Sequence, residues 1–76
     1  MEKKFIAQFA EVLELDENHE LTTETIFRDL EQWDSLAYLS VIAMIDEEYD
    51  VVIEGNEFKK LLTIGDLITE IQRRNS

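Results

Sequence analysis

The sequence predicts an all-α domain: a four-helix bundle with a long first loop and a short third helix. Apolar residues recur at spacings of three and four in the segments assigned to the long helices. Helix-start residues stand where such patterns begin, at Asp34 and at Thr63 with Asp66 behind it. The β-prone run, Val51-Val52-Ile53, is short, and one isolated strand cannot form a sheet.

The first helix is expected from Glu2 to Leu15. Phe5, Ile6, Phe9, Val12 and Leu13 share one face there, and neither Gly nor Pro interrupts it. Asp16 to Asp34 is polar, with Leu21, Ile26, Phe27 and Leu30 scattered through it. A connection of that length is functional or conceals an element. The spaced apolar residues predict a loop pinned across the bundle, with a short turn near Thr25; a hidden strand is the alternative.

The second helix is expected from Ser35 to about Tyr49, with Asp34 as N-cap, because its carboxylate can accept from the free amides of the first turn. Leu36, Leu39, Ile42, Ala43, Met44, Ile45 and Tyr49 make it apolar around much of its circumference, whereas a surface helix needs one stripe. The surplus, Leu36, Leu39 and Ala43, must meet another buried element or form an exposed contact patch. Val51-Val52-Ile53 reads as an extended connector that plugs the core. Gly55-Asn56 reads as a turn and Glu57 to Leu62 as the short third helix. Thr63 caps the last helix, Asp66 completes a capping box, and Leu67, Ile68 and Ile71 form its apolar face. Arg73 and Arg74 fall in its last turn, where the helix dipole favours cations. Residues 1–76 form a single domain with no internal repeat or linker.

Composition narrows the chemistry. A 76-residue chain has room for one modest core and none for a deep active site with a supporting shell. The hydrophobic fraction of 45% excludes a disordered chain. Without cysteine there is no disulfide, no Cys-zinc site and no thiol nucleophile, and no metal-ligand set is assigned. The one histidine, His19, lies in a polar stretch and reads as a solvated loop residue. No apolar run is long enough for a membrane span. Met1-Glu2-Lys3-Lys4-Phe5 lacks a signal-peptide core, so the cytoplasm is the default location.

The net charge is −11, unevenly spread. Asp29 to Glu57 holds nine acidic residues and no Lys or Arg, while Lys3, Lys4, Arg28, Lys59, Lys60, Arg73 and Arg74 lie outside it. That segment repels phosphate backbones, which excludes nucleic acid, and steers basic protein surfaces toward itself.

Trp33-Asp34-Ser35-Leu36 concentrates what chemistry remains. A serine in the first turn of a helix sits among amides without intrahelical partners, at the positive end of the dipole, where an anion is stabilised. As a nucleophile Ser35 would need a base and oxyanion donors; His19 is the lone histidine and no glycine flanks Ser35. Ser35 therefore reads as a place to carry a phosphate, and the chain as a non-enzyme.

Nearly the whole chain resembles an acyl carrier protein. The resemblance runs through Asp34-Ser35-Leu36, the acidic-then-aromatic helix end Ile45-Asp46-Glu47-Glu48-Tyr49, the following Val51-Val52-Ile53, and Thr63-Ile64-Gly65-Asp66-Leu67. It implies a four-helix bundle holding a 4′-phosphopantetheine arm on Ser35. The arm would be transferred from coenzyme A by a phosphopantetheinyl transferase, with magnesium needed by that enzyme alone, and its thiol would carry acyl groups as thioesters. The resemblance gives Asp34 and Leu36 to transferase recognition. It gives Asp46 and Glu47, with Leu36, Leu39 and Ala43, to docking on basic patches of acyl-loading and acyl-transferring enzymes. It places a pocket for a tucked acyl chain at Ile42, Ile45 and Leu61. A monomer serving fatty acid or related polyketide or surface-polysaccharide biosynthesis follows.

Several positions depart from the family pattern. Ala37 and Ser40 stand where fatty-acid carriers usually have acids, Asp50 replaces a common glycine, and Trp33 resembles carriers of specialised pathways. These imply a docking face with less charge and partners outside housekeeping fatty acid synthesis. A D-alanyl or aminoacyl carrier is the alternative within the fold. Outside it stand a calcium-binding module and a plain helical interaction module using Leu36, Leu39 and Ala43. Asp46, Glu48, Asp50 and Glu57 have EF-hand spacing, but Val51 occupies the required glycine position.

Overall fold

Helix α1 (Glu2–Val12) inserts Phe5 and Phe9 completely into the interior. In the computed structural model, which describes residues 2–15 and 21–75, it packs against α2 (Ser35–Tyr49) and α4 (Ile64–Asn75). The fourth helix of the bundle, α3 (Gly55–Phe58), is a single turn.

The first helix ends three residues before the expected Leu15, for a local reason. Leu15 N–H donates to the Ala10 carbonyl and Glu14 N–H to the Glu11 carbonyl, while Glu14 takes a left-handed conformation at φ 56°. This is a Schellman closure, formed with Glu14 where glycine is usual. The predicted loop then leads toward α2, and its stretch Asp16 to Glu20, with His19, lies outside the described residues.

From Leu21 onward the loop is tied down at several points. Thr25 N–H bonds to the Thr22 carbonyl, closing the turn expected near Thr25, and Phe27–Asp29 forms one 3-10 turn. Instead of the hidden strand, the described part of the loop makes one isolated antiparallel bridge, Ile26 with Thr63. Gly65 N–H donates to Thr23 O at 2.8 Å and Ile64 N–H to Thr25 O at 3.0 Å, so the loop is pinned to the start of α4. The Arg28 guanidinium donates to the carbonyls of Phe58 (2.8 Å) and Leu61, binding the same loop to the end of α3.

Helix α2 has the expected bounds. Asp34 accepts from Ala37 N–H at 2.8 Å, and Asp50 closes the far end at φ 56°. Its inward residues are Ala37, Val41, Met44 and Ile45. Residues 46–49 of the EF-hand spacing are thus helical rather than loop. Val51 and Ile53 are buried and Val52 is exposed, as an extended plug requires.

The expected third helix is corrected. It occupies Gly55–Phe58 rather than Glu57 to Leu62, so Gly55-Asn56 is its first turn and not a turn ahead of it. Arg28 takes up carbonyls at its C-terminal end, and Leu62 and Thr63 N–H both donate to Asp66 Oδ2, which starts α4 immediately. With Asp66 N–H donating to Thr63 Oγ1 at 3.0 Å, the capping box is complete. Helix α4 buries Ile64, Leu67, Ile68, Glu70 and Ile71. No described helix is long and apolar enough to cross a membrane.

Candidate functional site: Ser35 and the aromatic concavity beside it

Ser35 is exposed at the first position of α2. The N-cap carboxylate satisfies Ala37 N–H, and Tyr38 N–H begins the helical ladder on the Asp34 carbonyl. The amides of Ser35 and Leu36 have no carbonyl one turn earlier in the helix, so partial positive charge remains at the serine. The hydroxyl is accessible and the local field favours an anion on it.

Beside Ser35 lies a concavity of about 460 Å³. Trp33, Tyr38 and Phe58 supply its aromatic walls, and Arg28 and Lys59 its cations. The walls are fixed from behind. The Trp33 ring lies parallel to Phe9 (6.2 Å between centroids, 5°) and to Phe58 (6.1 Å, 3°), while Phe27 meets it at 4.8 Å and 60°. Tyr38 stands edge-on to Phe58 at 5.0 Å. The Arg28 guanidinium lies 5.0 Å from the Phe27 ring centroid and 5.7 Å from that of Phe58. These offset and edge arrangements are the ones aromatic quadrupoles favour.

Leu36 and Leu39 are 74% and 59% exposed, so the surplus apolar residues of α2 form a surface patch rather than a second buried face. Ala43, Asp46 and Glu47 are exposed too, and their spacing continues one stripe along the helix. Ala37, read from sequence as a lost charge on that stripe, is buried at 7% exposure; Ser40 is exposed. A second concavity of about 500 Å³ lies between α1 and α2, with Glu11 on one wall and Ala43, Glu47 and Glu48 on the other.

Ile45 is fully buried in the core, and Ile42 and Leu61 are half-buried against it. Neither concavity is lined by these three residues. Sequence reasoning missed the aromatic walls, because Trp33, Tyr38 and Phe58 converge from a loop and two helices. It held one signal for the cations: Arg28 and Lys59 stand just outside the two ends of the acidic segment.

These surroundings suit a phosphodiester with an organic tail. Ser35 offers an exposed hydroxyl, the helix start and Lys59 offer positive charge, and the concavity offers apolar surface. Comparison with known proteins agrees. Residues 3–71 match the family described as "Phosphopantetheine attachment site". The acyl carrier protein of Streptococcus pyogenes serotype M3 is 39% identical over 59 residues, 78% of this chain and 76% of that one. The meromycolate extension acyl carrier protein of Mycobacterium leprae is 32% identical over 75 residues, 95% of this chain and 65% of that one. The solution structure of holo acyl carrier protein from Geobacter metallireducens superposes with a TM-score of 0.80 at 28% identity, covering 93% of this chain and 80% of that one. Sequence, fold and serine site together place the chain in the acyl carrier protein family, whose prosthetic group is 4′-phosphopantetheine.

Proposed function

We propose that Ser35 is the attachment residue and that the protein delivers acyl groups to partner enzymes of fatty acid or related acyl biosynthesis. The single observation that carries this reading is the exposed Ser35 hydroxyl at the first position of α2, beside the aromatic concavity. When bound, the phosphopantetheine arm supplies a thiol that holds an acyl group as a thioester, which a chain without cysteine cannot do itself. Every other contribution is the protein's own. Asp34 fixes the helix start and presents a carboxylate beside the hydroxyl, and Leu36 offers an apolar foothold to the phosphopantetheinyl transferase.

The stripe Leu36, Leu39, Ala43, Asp46 and Glu47 is the proposed docking face for basic, partly apolar surfaces of the loading and transferring enzymes. Ile42, Ile45 and Leu61 are the proposed lining for a tucked acyl chain. Their side chains already fill that region, so it has to open on loading. We assign the protein to the cytoplasm, as a monomer.

Intact-mass measurement after incubation with coenzyme A, magnesium and a promiscuous phosphopantetheinyl transferase tests the reading. The wild type should gain one phosphopantetheine and Ser35→Ala none. An unmodified wild type beside a carrier that the same enzyme does modify would sink the assignment.

A further inference from the structure

We infer that Arg28 is a latch on the cargo: its guanidinium pins segment 59–61, and its release is the movement that lets an acyl chain pass behind Leu61. This rests on the proposed reading that a loaded chain is tucked against Ile42, Ile45 and Leu61. Three features of the chain lead to it.

The first is where that lining can yield. Ile42 and Ile45 belong to a fifteen-residue helix closed at both ends, by the Asp34 carboxylate and by the left-handed Asp50. Leu61 follows a helix of one turn whose N-cap, Glu54, makes no side-chain bond to it. Downstream, Leu62 and Thr63 N–H are fixed on Asp66. Upstream, Phe58 is buried against Phe27, Trp33 and Tyr38. Segment 59–61 lies between these two anchors, and one turn has too few internal bonds to hold it. Room behind Leu61 therefore opens by movement of this segment and not of α2.

The second is the bonding of Arg28. Its guanidinium donates to the Phe58 carbonyl at 2.8 Å and to the Leu61 carbonyl as well. One carbonyl precedes the segment and the other ends it, so a single planar fork clasps the whole stretch. The donors are charged and half-buried, which makes these bonds stronger than neutral ones in water. The ion pair of Lys60 with Glu57, on the same stretch, is long at 3.9 Å and exposed, and it adds little.

The third is the post to which the latch is fastened. Arg28 stands in the turn Phe27–Asp29, and Phe27 is completely buried. Just before it the loop is bonded to α4, where Ile64 N–H donates to Thr25 O and Gly65 N–H to Thr23 O. The guanidinium is steadied 5.0 Å from the Phe27 ring centroid and 5.7 Å from that of Phe58. Arg28 thus ties a weakly held segment to a firmly held one.

Two measurements on the full chain test the latch. A promiscuous phosphopantetheinyl transferase loads it from butyryl- or octanoyl-coenzyme A, and intact mass follows thioester cleavage by hydroxylamine. The butyryl form has less chain to tuck and serves as reference. In the wild type the octanoyl thioester should be cleaved more slowly. Arg28→Gln should widen that ratio about threefold to tenfold, because tucking no longer has to break charged hydrogen bonds. Arg28→Lys keeps the charge but not the fork and should fall between; it carries the test if Arg28→Gln does not fold. A purely structural role would change both cleavage rates together and leave the ratio alone. In the unloaded protein the Lys60 and Leu61 amides, bonded to the carbonyls of Glu57 and Phe58, should exchange about tenfold faster in Arg28→Gln. An octanoyl thioester that stays protected at the wild-type ratio in both variants overturns the latch and leaves the pocket standing. Unchanged amide exchange overturns the latch too. Equal cleavage of the two thioesters in the wild type and both variants strikes at the tucked chain itself, and the latch falls with it.

Discussion

A β-carbon at Gly65 would lie 2.8 Å from the Thr23 carbonyl oxygen and 3.1 Å from its Cβ. That contact explains the glycine in Thr63-Ile64-Gly65-Asp66-Leu67, because the long loop crosses α4 here and Gly65 N–H donates to the same carbonyl. Gly65→Ala should therefore cost about 1–3 kcal/mol of stability despite the higher helix propensity of alanine, read from urea denaturation. A stabilised variant would show that the loop does not sit on α4 in solution. Glu70 makes a second residue-scale case. Hydrogen bonds from Arg73, then Arg74, hold its largely buried carboxyl down at about 2, against an ordinary 4.5. Asp66 is lowered too, first by Leu62 N–H and then by Thr63 N–H. A depressed carboxylate contributes stability above its unfolded pKa and loses it as pH falls through the folded one. Glu70→Gln should thus be less stable than wild type at neutral pH. The difference should close as pH falls from about 4.5 to about 2. Melting curves across that range that stay a constant distance apart would contradict the pairing.

Among the elements, α2 carries the site, and its start depends on one side chain. Asp34 accepts from Ala37 N–H, so Asp34→Ala should destabilise the fold by about 1 kcal/mol in denaturant titration, the usual worth of an N-cap. Asp34→Asn can still accept that bond and should recover most of the loss, while transferase modification, which on the proposed reading uses the carboxylate, should stay slow in both variants. Recovery of both properties by asparagine would reduce Asp34 to a cap. The short α3 has a different dependence. With one turn, it has too few internal bonds to persist alone. It is held by Phe58 in the aromatic cluster and by Arg28 at its carbonyl end.

At the scale of the whole molecule, net charge of −11 is confined to a body of 33 × 24 × 21 Å. At 0.01 M salt the screening length is about 30 Å, so charges across the molecule repel one another, and at 0.15 M it is about 8 Å. The melting temperature should accordingly rise between those two conditions, and capture of a partner with a basic surface should slow over the same range. A fall in melting temperature would mean that the ion pairs at Glu70 outweigh the general repulsion.

The chain alone determined the helices whose signals are local. The period of α1, the Asp34 cap of α2 and the Thr63–Asp66 box of α4 each lie within a few neighbouring residues. The exposed position of Ser35 at the start of α2, on which the proposed attachment rests, follows from the same local physics. Tertiary structure decided whatever depends on residues distant in the chain. It moved α3 to Gly55–Phe58, because Arg28 takes up the carbonyl of its last residue, Phe58, from thirty residues away. It buried Ala37 and left Leu36 and Leu39 on the surface, because inside and outside on α2 are set by α1 and α4. It also assembled the concavity of Trp33, Tyr38, Phe58 and Lys59 beside Ser35. No periodicity encodes that group, since its members meet through packing.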